Sequence, residues 1–183
     1  DLTMLSGLAN SAAYDLVSDK KFSSIEALRG TKLGVSGINS SSTLLLQKML
    51  AAHGLNYPRD YTLVEVGGTS DRLLAIKTGA IAAGVLNPPI SYVAAEQGLK
   101  LLGELKNYIP AVQFTALSVR RAWAYQNSKL TEDYLIALLR ANRYLYESRA
   151  GTVAVIRDVF KVQADYAERV YDYWVREKVI PTD

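Results

Sequence analysis

The spacing of hydrophobic positions predicts alternating strands and helices over the first half of the chain. From about Ser23 to Leu105, short apolar runs typical of strands alternate with segments in which apolar residues recur every three or four positions. Glycine or proline follows most of these segments and predicts where each one ends. The predicted strands are residues 31–35, 61–66, 81–86 and 99–105, and the predicted helices are residues 42–53, 71–78 and 90–97. This order is typical of an α/β fold with a mostly parallel sheet.

A different pattern occupies the last third of the chain. Residues 114–119 and 121–125 have an extended character, and most of the sequence after Thr131 has helical spacing. Thr131 is predicted to cap the first of three helices, because Glu132 and Asp133 would then lie in its positively polarised first turn. Three helices cannot complete a globule alone, so we expect this part to pack against another segment.

Composition narrows the class of protein. Hydrophobic residues make up 49% of the chain and charged residues 21%, which is typical of a globular protein and excludes a disordered or fibrous chain. The net charge of +3 is dispersed along the sequence, so we expect no nucleic-acid partner. No apolar run approaches the roughly 20 residues that a membrane-spanning helix needs.

Candidate catalytic and metal-binding groups are few. The chain has no cysteine and one histidine, His53, which excludes disulfides, thiolate nucleophiles and sites that need two imidazoles. His53 follows a predicted helix, where it would interact with the helix dipole, and Ser41 has no imidazole nearby in the sequence. A dinucleotide-binding glycine motif and a carboxylate pair for acid–base chemistry are both absent. We therefore expect no enzyme, no catalytic residue, no metal and no cofactor.

Small polar and glycine-rich loops follow three of the predicted strands. They comprise residues 36–42, 67–70 and 87–89, and each leads into a predicted helix. Ligands of open α/β sheets bind outside the carboxyl ends of the strands, where helix N-termini offer free N–H groups. The hydroxyl groups of residues 40–43 and the backbone of residues 67–68 could therefore bind an anion or a carbonyl oxygen. The same residues could instead serve only as helix caps and turns.

One charged pair lies beside these loops. Asp71 and Arg72 stand just inside a predicted helix start and are interpreted as a solvated ion pair. The alternative is that Arg72 reaches an anion held at Gly68.

Several motifs, in a fixed order, resemble a known receptor family. The run SIEALRGTKLGV at residues 24–35 resembles the beginning of the second lobe of periplasmic binding proteins. A serine-rich loop, Val66-Gly67-Gly68, the segment LAIKTGAIAA at 74–83 and Pro88 follow in the family's order. The chain is similar to the nitrate, sulfonate, taurine and thiamine-precursor branch of ABC-transporter solute receptors, the NMT1/THI5-like group. It departs from that pattern at Ala82-Ala83, where the family usually has an aspartate, and it lacks the β-α-β portion that begins the first lobe.

The resemblance implies a fold and a site. The fold is a periplasmic-binding-protein type II lobe of α/β class with a mostly parallel sheet, followed by helices that return to the first lobe. Residues 1–22, in which residues 14–17 form a short strand, belong to the first lobe or hinge, residues 23–120 to the second lobe, and residues 121–183 to the helical return. The ligand-binding residues implied are Asn39, Ser40, Ser41, Ser42, Thr43, Gly67, Gly68, Thr69 and Asn87.

The same resemblance implies a function. We expect the substrate-binding component of an ABC importer, periplasmic or at the cell surface, that encloses a small anionic or aromatic solute by lobe closure and delivers it to a permease. A homodimer formed by swapping would be one way to supply the missing segment. The alternatives are a ligand-sensing regulatory domain on the same fold and a thiamine-pyrimidine precursor synthase. The absence of cysteine and the position of His53 disfavour the enzyme.

Overall fold

A computed structural model describes residues 1–109 and 113–182 of the 183-residue chain. The residues group into two compact units, one formed by Asp1–Ala12 with Ala111–Asp183 and the other by Ala13–Pro110. The strands are β1 (Leu2–Ala9), β2 (Asp15–Ser18), β3 (Lys32–Val35), β4 (Thr62–Glu65), β5 (Ala83–Leu86), β6 (Lys100–Glu104) and β7 (Thr115–Arg120). The helices are α1 (Ser41–Ala52), α2 (Thr69–Lys77), α3 (Ile90–Glu96), α4 (Arg121–Gln126), α5 (Ser128–Glu147), α6 (Arg149–Phe160) and α7 (Ala164–Arg176). Short 3₁₀ turns cover Glu26–Leu28 and Leu105–Tyr108.

The unit of residues 13–110 contains a five-stranded sheet in the order β4-β3-β5-β2-β6. Strand β3 pairs in parallel with β4 and β5, whereas β2 pairs antiparallel with β5 and β6. The predicted α/β class is confirmed, and the sheet is mixed rather than mostly parallel. All four residues of β2 are buried, and a strand that is buried on both faces carries no sequence signal of its direction.

Apolar residues of the helices and strands form the core of this unit. Helix α1 buries Leu46, Met49 and Leu50 completely. A second cluster joins α2 and α3 to the sheet and consists of Val17, Ile76, Ile81, Leu86 and Ala94. The three predicted helices differ from the observed ones by at most two residues at either end, since glycines with positive φ follow them.

In the unit of residues 1–12 and 111–183, the described residues form a two-stranded antiparallel sheet and four helices. Strands β1 and β7 pair antiparallel, with two irregularities in their register. Strand β1 was not predicted, and the prediction of an extended segment at residues 121–125 is wrong, because α4 begins directly after β7. The alternation of large and small residues in Arg-Ala-Trp-Ala-Tyr imitates a strand over this short length. No helix in the described residues combines the length and the apolarity needed to cross a membrane.

Thr131 lies inside α5 rather than at its N-terminus. Helix α5 begins at Ser128, and both the backbone N–H and the hydroxyl of Thr131 donate to the carbonyl oxygen of Asn127, the hydroxyl at 3.0 Å. The predicted N-cap is therefore wrong, because the helix starts one turn earlier than the acidic pair suggests.

Replacing Thr131 by alanine should consequently have little effect on stability. A hydroxyl that donates back to the carbonyl four residues earlier contributes little to a helix, and alanine has the higher helix propensity. We expect the free energy of unfolding to change by no more than about 0.5 kcal/mol, measured by urea denaturation. A loss of about 1 kcal/mol or more, the usual cost of removing a cap, would contradict this placement.

Candidate functional site

The three predicted loops lie at one edge of the five-stranded sheet. Strands β4, β3 and β5 are neighbours and run parallel, so their carboxyl ends lie side by side. Each of these strands leads through a short loop into a helix, β3 into α1, β4 into α2 and β5 into α3. This edge is where α/β proteins bind small ligands. We refer to the loops at residues 36–40, 66–68 and 87–89, with the first residues of the helices after them, as the carboxyl edge.

Hydroxyl groups organise the start of α1. Ser40 is the N-cap, and its Oγ accepts from the backbone N–H of Thr43 at 3.3 Å. The Thr43 hydroxyl donates to the carbonyl oxygen of Gly37 at 2.7 Å, and Ser42 Oγ lies 3.1 Å from Ser40 Oγ. Ser42 and Thr43 are buried, whereas Asn39 and Ser41 are exposed. The hydroxyl groups of Ser40, Ser42 and Thr43 therefore cap the helix and form hydrogen bonds within the loop. The side chains of Asn39 and Ser41 remain open to solvent.

A hydrogen bond joins the loop after β4 to the loop after β5. The Thr69 hydroxyl donates to Oδ1 of Asn87 at 2.6 Å. Gly68 precedes α2 as its N-cap, and its backbone N–H donates to Oδ2 of Asp71 at 3.0 Å. Gly67 has a φ of +87°, a left-handed conformation that favours glycine. The residues predicted in these two loops are therefore brought together, while their binding of a ligand stays a prediction.

Arg72 is part of the same arrangement, and the interpretation of Asp71 and Arg72 as a solvated pair is wrong. The Arg72 side chain is only 4% exposed. Its Nε donates to the carbonyl oxygen of Val85 at 2.8 Å, its Nη2 to Thr69 Oγ1 at 3.3 Å, and its Nη1 to the carbonyl oxygen of Gly67. Burial lowers the pKa of the guanidinium, an effect that Tyr14 and Asp71 oppose.

Glu65 is a residue of the carboxyl edge that the sequence analysis missed. It is the last residue of β4, and its Oε1 accepts from the backbone N–H of Ile38 at 2.8 Å. This bond ties the loop after β3 to the end of β4. Its place at the end of a predicted strand, just before a glycine-rich loop, is the feature of the sequence that could have indicated this role.

A buried carboxyl group lies behind the loop after β5. Asp15 on β2 is paired with Leu86, the last residue of β5, and is 7% exposed. Burial raises the pKa of Asp15 to about 6; the nearby Ser91 hydroxyl and Lys106 lower it, and Glu104 raises it further. Ser91, in the first turn of α3, donates its backbone N–H to the carbonyl oxygen of Asn87 at 3.2 Å.

His53 and Ser41 lie at opposite ends of α1. The helix has 12 residues and is therefore about 18 Å long. Beyond its C-terminus, His53 Nδ1 lies 2.6 Å from Glu26 Oε1 and His53 Nε2 lies 2.8 Å from the Tyr108 hydroxyl. The imidazole therefore links two 3₁₀ turns and cannot activate Ser41.

Three solved structures with a similar fold are named as binding proteins for sulfonates or nitrate. The alkanesulfonate-binding protein SsuA from Xanthomonas axonopodis pv. citri, bound to MOPS, has a TM-score of 0.79 and 21% identity over 94% of this chain and 59% of its own. The periplasmic aliphatic sulphonate binding protein SsuA from Escherichia coli has a TM-score of 0.70 and 16% identity over 99% and 70%. The periplasmic nitrate-binding protein NrtA from Synechocystis PCC 6803 has a TM-score of 0.73 and 16% identity over 90% and 47%.

These comparisons confirm the fold and place the chain in a family. The chain spans about 59% of the Xanthomonas protein that it matches. A comparison with curated proteins found no match. A family model described as NMT1/THI5 like matches residues 4–150 of the 183, which confirms the resemblance inferred from the sequence motifs. The chain belongs to the NMT1/THI5-like family.

Proposed function

We propose that this chain is the ligand-binding part of the solute-binding component of an ABC importer and that it captures a small oxyanion at the carboxyl edge. The observation that carries the proposal is the buried guanidinium group of Arg72, which lies beneath the two loops that the Thr69–Asn87 hydrogen bond joins. Arg72 is buried there, and its hydrogen bonds go to the carbonyl oxygens of Gly67 and Val85 and to the Thr69 hydroxyl, all of them neutral. Asp71 acts on this charge through space but forms no hydrogen bond with it among the described residues, and a buried positive charge whose hydrogen bonds go only to neutral groups favours a negative ligand nearby.

The N-termini of α1 and α2 support the same ligand class. Both helices start at the carboxyl edge, and the first N–H groups of a helix together carry about half a positive charge. Two carboxylates also lie there, on Glu65 and Asp71, and each accepts from a backbone N–H of a loop. They add negative charge to the edge, so a small singly charged oxyanion fits it better than a multiply charged one.

The role proposed is binding without catalysis. Its support is the family, together with neighbours named as binding proteins for sulfonates and nitrate. By analogy with those periplasmic neighbours, we propose that the protein acts in the periplasm or at the cell surface and delivers its ligand to a membrane permease.

A thermal-unfolding panel on the intact gene product tests the ligand class. The anionic probes are ethanesulfonate, MOPS, nitrate and benzoate, and the neutral controls are ethanesulfonamide, nitromethane and benzamide. A probe at one hundred times its Kd should stabilise the protein by about 2.7 kcal/mol and raise Tm by several degrees. We expect at least one anion to do so while its neutral counterpart does not. Stabilisation by the neutral controls alone would contradict the proposal.

A further inference from the structure

The aliphatic part of Arg72 packs over two glycines of the sheet. Gly34 on β3 and Gly84 on β5 are paired. A Cβ atom added to either glycine would lie 3.6 Å from the Arg72 side chain, which is ordinary van der Waals contact. The stem of Arg72 therefore runs along β3 and β5, and its guanidinium group is buried at the end of these strands.

The guanidinium connects the strand ends to the loops of the carboxyl edge. It donates to the carbonyl oxygens of Val85 and Gly67, which belong to β5 and to the loop after β4. Within the described residues, no carboxylate forms a salt bridge with it. Asp71 favours the charged form through space, but a buried charge without a direct salt bridge is still costly to the folded protein, so its position beneath the carboxyl edge calls for an explanation other than stability.

Thr69 links Arg72 to Asn87 in the loop after β5 through two hydrogen bonds of its hydroxyl group. Its hydroxyl oxygen accepts from Arg72 Nη2 at 3.3 Å and its hydroxyl hydrogen is donated to Asn87 Oδ1 at 2.6 Å. Both the direction of this hydroxyl and the position of the Asn87 amide are therefore fixed by the cation. The chain of contacts runs from Arg72 through Thr69 to Asn87 without any exposed group of Arg72 taking part.

We propose that Arg72 is a positioning residue that sets the charge preference of this site. Its buried positive charge favours an anionic ligand over a neutral molecule of the same shape. Its hydrogen bonds to Gly67 and Thr69 hold the segment after β4, and through the Thr69–Asn87 bond also the loop after β5, in the conformation that binds. The inference rests on the function proposed above and assigns the selectivity of that site to one buried side chain which does not itself contact the ligand.

The experiment compares Arg72→Met and Arg72→Lys with the wild-type gene product by isothermal titration calorimetry. Each anionic probe that binds the wild type is paired with its neutral counterpart, ethanesulfonamide for ethanesulfonate, nitromethane for nitrate and benzamide for benzoate. We expect the methionine variant to reduce the preference for the anion by about tenfold to a hundredfold. The lysine variant keeps the charge and should retain most of the preference, with weaker binding overall because it lacks the forked hydrogen bonds.

The possible results separate this inference from the proposed function. Failure of the wild type to bind any anionic probe overturns the proposed function, and the inference with it. Binding by the wild type with an unchanged preference in Arg72→Met overturns the role of Arg72 alone. An equal loss of affinity for anion and neutral probe also overturns it, because a purely structural role would not distinguish the two.

A second pair of variants covers the case in which Arg72→Met does not fold, as judged by circular dichroism. Thr69→Val removes the hydroxyl between Arg72 and Asn87, and Thr69→Ser keeps it. We expect Thr69→Val to weaken binding of the anionic probe at least about tenfold and Thr69→Ser to bind within about threefold of the wild type. Wild-type affinity in Thr69→Val would overturn the inference.

Discussion

Replacing Asp15 by asparagine is expected to stabilise the protein by about 2 to 3 kcal/mol at pH 8 and to leave its stability unchanged near pH 3. Burial raises the pKa of this carboxyl group from 3.8 to about 6 in the folded protein. Above pH 6 the folded state therefore holds a carboxylate that is more stable in the unfolded chain. Each pKa unit corresponds to about 1.4 kcal/mol, and asparagine has nearly the same shape without the charge.

The sign of the expected change in stability follows from the different proton affinities of Asp15 in the folded and unfolded states. Between pH 4 and pH 6 the folded state binds the Asp15 proton more strongly than the unfolded state does, so the contribution of this group to stability falls as the pH rises. Below pH 4 the carboxyl is protonated in both states, and above pH 6 the loss is complete. The asparagine variant should lack this decline.

Urea denaturation at intervals from pH 3 to pH 8 measures the effect. The matched control is Glu132→Gln, which neutralises an exposed carboxylate on α5. We expect the control to follow the wild-type curve within about 0.5 kcal/mol. Parallel curves for the wild type and Asp15→Asn would contradict the prediction, because they would show that folding does not shift the pKa of Asp15.

The second large effect is expected at Gly68, where leucine should weaken binding of the anionic probe more than about a hundredfold without unfolding the protein. Gly68 has a φ of −69°, which any residue adopts, and a Cβ added there would meet only Oδ2 of Asp71, at 3.2 Å. The backbone conformation therefore allows a larger side chain, which fills space at the carboxyl edge once the exposed Asp71 carboxylate moves by a few tenths of an ångström. Gly67 would be a poor choice for the same test, because its positive φ would strain any other residue.

Calorimetry and thermal unfolding together check the prediction. The control is Lys77→Leu, which introduces the same side chain at the opposite end of α2. The two variants should have Tm values within a few degrees of the wild type, and only Gly68→Leu should lose affinity. Binding by Gly68→Leu within threefold of the wild type would place the ligand elsewhere.

The sequence was sufficient to predict the carboxyl edge because its signals are local. Strand and helix periods, together with glycines at the helix ends, predict the order of elements over residues 31–105 to within two residues at most boundaries. Parallel neighbours then bring the following loops together whatever their detailed contacts. The serine cap of α1 could be predicted in the same way, since Ser40 acts on the backbone three residues later.

Other features depend on which strands become neighbours, and a single sequence does not contain that information. The direction of β2 follows from its place between β5 and β6. Arg72 is buried where β3 and β5 lie side by side, with Gly34 paired to Gly84, although 50 positions separate these two glycines in the chain. The bond between Glu65 and Ile38 likewise joins two loops that are distant in sequence.

The pairing of Gly34 with Gly84 has a consequence for how this protein can diverge. A Cβ at Gly34 would lie 2.4 Å from Cδ1 of Ile81, and one at Gly84 would lie 3.3 Å from the carbonyl oxygen of Gly34. A change at Gly34 is thus expected to displace the isoleucine side chain first, while the arginine stem keeps its place. In an alignment of descendants of this sequence, positions 34 and 81 should vary together, with a larger residue at position 34 accompanied by a smaller side chain at position 81.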